Sequence, residues 1–160
     1  MIVIILVLAG GCTLFKPKPP AVALRFHEQV DAALPESRVR VVDVPGTQQQ
    51  IAVDPFPQLT EKDISEARLV PVPGGQAVLL LFDLHGANTF AEMTTRLRGR
   101  YFVVFVNERP IALVLVDKRI ADGKFLLEGD LTEAEERTLV DDLNQVAGKK
   151  RDFGDTKLQQ

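Results

Sequence analysis

Ala77-Val78-Leu79-Leu80-Leu81-Phe82 and, a few residues on, Thr89-Phe90-Ala91-Glu92-Met93 form the stretch on which the fold turns. The first run is apolar without alternation and too short for a helix. It reads as a strand that is central or covered on both faces. Pro73-Gly74-Gly75 before it supplies a turn. In the second run Thr89 and Glu92 make a capping box, whose side chains satisfy N–H groups left open at a helix start. Phe90, Met93 and Leu97 then recur at helical spacing, one apolar stripe for a sheet to cover.

Working outward, Thr60-Glu61-Lys62-Asp63 opens a short helix, with Leu59 and Ile64 placed as a hydrophobic staple. Val70 to Pro73 ends it. Further upstream, Ala23–Val30 and Arg38–Val44 read as strands and Gln49–Asp54 as a short third, stopped by Pro55-Phe56-Pro57. Downstream, Tyr101–Val106 and Ile111–Val116 are β-branched runs joined as a hairpin through Asn107-Glu108-Arg109-Pro110. Lys124–Glu128 is a further strand. Thr132-Glu133-Ala134-Glu135 is another capping box; Leu139, Leu143 and Val146 give that helix its buried face, and Gly148 can close it. The expected class is α+β: a mixed or mainly antiparallel sheet with about three helices, mostly on one face.

The start of the chain reads differently. Ile2 to Leu8 are apolar and Ala9-Gly10-Gly11-Cys12 follow. A membrane-crossing helix needs roughly 20 residues, so this shorter run reads as a secretory signal. Val7-Leu8-Ala9-Gly10-Gly11-Cys12 resembles a bacterial lipobox, in which the cysteine thiol is lipidated and the cysteine becomes the new N-terminus. No Lys or Arg lies between Met1 and Cys12, a departure from the usual signal. The other reading is a buried strand with a core cysteine. Lys16-Pro17-Lys18-Pro19-Pro20 then favours an extended spacer of about 3 Å per residue. The expected organisation is a signal peptide over 1–11, a lipidated cysteine and tether over 12–22, a folded domain over 23–147 and a flexible tail over 148–160. Thr13 rather than Asp follows Cys12, which points to the outer membrane where there are two.

Composition limits the chemistry. The chain has 160 residues, enough for one domain, with 46% hydrophobic and 26% charged residues, an ordinary globular balance. A net charge of −3, no Trp and one Tyr speak against nucleic acid as a partner. One cysteine and two histidines leave no zinc-ligand cluster. His27 and His85 sit in no motif. Asp83–His85 is the sole foothold for general-base chemistry, and a polar loop is its simpler explanation. No nucleophile elbow or phosphate loop occurs. Met93 reads as core filling rather than a metal ligand. Arg96, Arg98 and Arg100 form a basic patch suited to a helix C-terminus or to anionic headgroups, with a solvated face as the ordinary reading. No catalytic, cofactor or metal residue is expected.

The domain resembles the head of the first periplasmic domain of SecD, the protein-export subunit, and of its fused form SecDF. The resemblance rests on Leu59-Thr60, Asp63-Ile64 and Ala67-Arg68; then Phe82, Gly86-Ala87, Phe90 and Thr94; then the strand-turn-strand of Tyr101–Val116; then Gly123, Gly129, Leu131-Thr132 and Glu133-Ala134. It spans about Leu59–Ala147. The family's Asp-Gly turn is Asn107-Glu108 here, and Leu131 stands where an aromatic is expected. SecD carries its proton-coupled work on transmembrane helices, none of which is read in this chain, so no motor is implied. What the resemblance implies is a non-catalytic head-like module that contacts exported polypeptide or Sec components; the lipobox-like start adds the expectation that it is held to a lipid bilayer through acylated Cys12 in the bacterial envelope. The alternative is a structural lipoprotein of an envelope assembly with no export role. Oligomeric state is not legible.

Overall fold

The computed structural model describes residues 22–157 apart from 45, 47 and 48. The expected signal peptide, Cys12 and nearly all of the tether lie outside the described residues. Val22, expected to end the tether, is instead buried in the domain.

The strands are β1 (Leu24–Glu28), β2 (Arg40–Asp43), β3 (Gln50–Val53), β4 (Leu59–Thr60), β5 (Ile64–Val72), β6 (Gly75–Phe82), β7 (Tyr101–Val106), β8 (Arg109–Leu115) and β9 (Lys124–Leu127). The α-helices are α1 (Leu84–Arg96) and α2 (Glu133–Lys157). Three sheets form, in the orders β4-β1-β7-β8, β5-β6-β9 and β2-β3. Every described strand pair is antiparallel. The class is α+β as expected, with two α-helices where about three were expected.

The missing helix is the one at Thr60. Its capping box is present, but it opens only a 3-10 turn over Glu61–Asp63. Ile64 then enters β5 opposite Phe82, and pairing with β6 takes the segment. Tertiary context has overridden a local helix signal. The start of α1 also differs. Asp83, not Thr89, is the N-cap, its carboxylate accepting the Gly86 N–H at 2.8 Å. Thr89 and Glu92 are already inside the helix. At the other end, α2 runs on through Gly148 to Lys157, so the expected tail begins as helix. A glycine inside a helix costs only about 1 kcal/mol against alanine, and Lys150 just beyond it is held by Asp83 at the start of α1.

Both helices bury their apolar faces in one core. Phe90, Met93 and Leu97 from α1 and its end meet Leu139 and Leu143 from α2. Five phenylalanines from five elements (Phe26, Phe82, Phe90, Phe102 and Phe125) fill its centre, with centroid separations from 4.9 to 6.1 Å and mostly edge-on geometry. Such pairs add about 0.5–1.5 kcal/mol each beyond their burial. The opposite face of β1 and β7 is not left to solvent. The β2–β3 hairpin lies over it, and Val42, Val44, Ile51 and Val53 pack on Val103 and Phe105 in a second, smaller cluster. Among the described residues no helix is long and apolar enough to cross a membrane.

Candidate functional site

Most motif residues turn out to build junctions. Asp63 is the hub of the first. Its carboxylate accepts the Thr60 N–H at 2.8 Å, while the Thr60 hydroxyl accepts the Lys62 N–H at 3.3 Å. Its carbonyl accepts the Asp83 N–H at 2.9 Å. That places the start of α1 against the 3-10 turn so closely that a Cβ on Gly86 would lie 2.6 Å from the Asp63 carbonyl oxygen. Only glycine fits there without a shift. Leu59 is fully buried beneath this junction, and Ala87 packs against the core.

The remaining motif residues are similar. Ala67 is buried, and both its backbone groups meet the side-chain amide of Asn144 on α2, each at 2.9 Å. Phe90 is in the aromatic centre. Thr94, also fully buried, donates its hydroxyl to the Phe90 carbonyl at 2.8 Å and accepts the Ile120 N–H at 3.0 Å. A Cβ on Gly129 would lie 2.8 Å from the Ile111 carbonyl oxygen. The Thr132 N–H donates to the Glu135 carboxylate at 2.7 Å, and that contact holds the Glu135 carboxyl below the ordinary range. Arg68 and Ala134 are the exceptions. Arg68 is exposed and pairs with its neighbour Glu66; Ala134 lies on the surface of α2.

Among the described residues the polar groups singled out in the sequence are engaged in local contacts. His85 is 77% exposed, and its Nδ1 lies 3.0 Å from Asp63 rather than on Asp83. Asp83 caps α1 and pairs with Lys150. Burial raises its carboxyl, but the Gly86 N–H and the Lys150 ammonium outweigh it and hold it below the ordinary value. Asp63, Asp83 and His85 bring ligand-type atoms within 4.8 Å of one another. Those atoms are already engaged in capping and in the Lys150 pair. The Arg96 guanidinium pairs with Glu28 and Arg100 donates to the Gln29 carbonyl at 3.0 Å, so two members of the basic patch are tied locally. His27, the second histidine, is buried on β1.

A cleft of about 450 Å³ lies beside the first turns of α2. Val22, Val106, Leu131, Ala134 and Leu139 line it with apolar surface, and Arg109 stands among the polar groups at its side. Arg109 reaches both Asp130 at 3.2 Å and Glu135 at 2.8 Å, which fixes that wall. The tight turn between β7 and β8, just before Arg109, also lines the cleft through Asn107. Asn107 and Glu108 both have positive φ, 49° and 67°, the geometry of a two-residue hairpin turn. Asn107 also accepts the Ala23 N–H at 3.0 Å and donates its own N–H to the Ala23 carbonyl at 2.9 Å. The chain therefore enters the domain at the cleft. No single stretch of sequence signals this cleft; of the motif segments, the β7–β8 hairpin gives Val106, Asn107 and Arg109, and the finish gives Leu131 and Ala134.

A family model described as the SecDF P1 head subdomain matches residues 36–146. No curated protein matches the chain. Among solved structures, SecDF in its super-membrane-facing form matches with a TM-score of 0.58 and 20% identity, over 77% of this chain and 18% of that one. A structure of SecDF as a membrane component that enhances protein export gives 0.55 and 19%, over 79% of this chain and 61% of that one. SecDF from Thermus thermophilus, a translocon-associated membrane protein, gives 0.50 and 19%, over 79% and 19%. At such identities these likenesses concern the fold, and the present chain spans only part of each SecDF chain. The match over 36–146 carries the assignment: the chain belongs to the SecDF P1 head subdomain family.

Proposed function

We propose that this chain is a non-catalytic interaction module of the bacterial envelope, held to a bilayer through acylated Cys12, which contacts exported polypeptide or Sec components through the cleft beside α2. The cleft is the observation that carries the reading. Its apolar lining and its charged edge suit a short unfolded segment, which offers apolar side chains between polar ones. Most of the motif residues are occupied in building the fold, whereas Leu131 and Ala134 also present surface to the cleft. The names of the structural relatives supply the export context. A tether raises the effective concentration of such a weak site near the membrane.

The test is a photo-crosslinkable residue at Ala134, inside the cleft, against one at Phe56, which is exposed and does not line it. In cells, the Ala134 probe is expected to capture Sec components or unfolded exported chains in clear excess over the Phe56 probe. Equal capture from both positions overturns the cleft as the contact surface. Capture of one stoichiometric envelope partner alone selects the assembly reading instead.

A further inference from the structure

His27 is 2% exposed and lies in the layer between the four-stranded sheet and the β2–β3 hairpin. Its Nδ1 is 2.7 Å from the carbonyl oxygen of Asp54, the residue after β3. A carbonyl can only accept, so Nδ1 carries the hydrogen and Nε2 is a bare lone pair. Nε2 is buried and has no hydrogen-bond partner. The imidazole packs edge-on against Phe105, with centroids 4.9 Å apart. Arg25 on β1 and Arg40 on β2 are the cations that face it; Arg40 also lies over the Phe105 ring, 4.8 Å from its centroid. Among the described residues Glu108, in the β7–β8 turn, is the carboxylate that acts on it, and it is shared with Arg40 at 3.1 Å and Arg25 at 3.8 Å.

The hairpin itself is lightly fastened. It joins the four-stranded sheet by one isolated bridge, Gln29 to Val53, and by the Val30 and Asp54 N–H groups, which donate to Ala52 and Glu28. Among the described residues the small apolar cluster, His27, the Arg40–Glu108 pair and the Arg40 guanidinium over Phe105 also hold it.

We propose that His27 is an acid-sensitive latch: protonation at Nε2 loosens the β2–β3 hairpin from the sheet and uncovers the apolar face around Val103 and Phe105. The closed form has no acceptor for a second ring N–H and presents two arginines to the new charge. Burial foremost, and then those two cations, outweigh the Asp54 hydrogen bond and depress the imidazole below its ordinary value. In the open form the ring is hydrated and ionises near 6.5. The open form therefore binds the proton first. Closure is at full strength above that pH and weakens as pH falls through it. For a closed form that stays neutral, one proton makes opening about tenfold more frequent at pH 5.5 than at pH 7.5.

Native-state hydrogen exchange on the full chain tests this. Corrected for intrinsic rates, the amides of Val30 and Asp54, whose bonds join the hairpin to the sheet, are expected to lose about tenfold protection between pH 7.5 and 5.5, while β6 amides such as Leu80 do not. In His27→Gln the pH response of the hairpin is expected to vanish. Should that variant fold poorly, the ring proton of His27 in the unaltered chain gives the answer. Its titration should be coupled to the same hairpin exchange. Hairpin protection that ignores pH, falls together with β6, or keeps its response in His27→Gln overturns the proposal.

Discussion

Asp63 and Gly86 show how much of this fold is decided by single residues. Asp63 closes the Thr60 turn with its carboxylate and anchors Asp83 with its carbonyl. Gly86 makes that second bond possible by leaving space where a Cβ would lie 2.6 Å from the carbonyl oxygen. Backbone on both sides of the contact leaves little to give way. Gly86→Ala is therefore expected to cost about 1–3 kcal/mol, as overpacking does. At about 2–4 °C per kcal/mol for a chain of this size, thermal unfolding should detect it. Gly75→Ala is the control: a Cβ there meets nothing within 4 Å, and Tm should barely move. The sequence showed both residues as parts of a pattern. It did not show that they touch, because the contact joins segments on either side of the β5–β6 hairpin.

At the scale of elements, β5 is the strand whose outer edge needs cover. Unpaired edge groups invite association with other chains. Asn144 supplies the cover from α2, its amide accepting the Ala67 N–H and donating to the Ala67 carbonyl as a neighbouring strand would. Asn144→Ala removes both bonds at a partly buried site, and a loss of about 1–3 kcal/mol is expected. Faster hydrogen exchange at the Ala67 amide, with little change at Leu127 on β9, would check it. The elements were legible where periodicity or β-branching ran long: β6, β7, β8 and the start of α2. Two helix starts were misplaced for physical reasons. A capping box opens a 3-10 turn as readily as a helix, so Thr60 alone could not tell them apart. Asp83 is followed by Leu84, His85 and Gly86, which carry no box and no staple, so the signal at Thr89 was louder although the chain was already helical.

In the whole molecule, two apolar layers flank the four-stranded sheet, one covered by helices and the other by a hairpin. The class of fold could be read from the order of elements; the cleft could not. Its apolar lining comes from three separate parts of the chain, Val22, Val106 and the Leu131–Leu139 segment, and nothing in the sequence says that they meet. Location belongs to this scale as well. On the proposed anchorage, Cys12→Ser should move the protein from the membrane pellet to the soluble fraction on cell fractionation. Continued pelleting would remove the anchor from the reading. The point where the chain enters the domain has a mechanical side. Val22 leads directly into β1, and β1 is an interior strand, bonded to β7 along its length and to β4 at Arg25 and Phe26. Antiparallel hydrogen bonds run across the strands. A pull along β1 from Val22 therefore loads those bonds together in shear, instead of opening them one at a time. Tension applied at Val22 is therefore met by the whole β1 ladder at once.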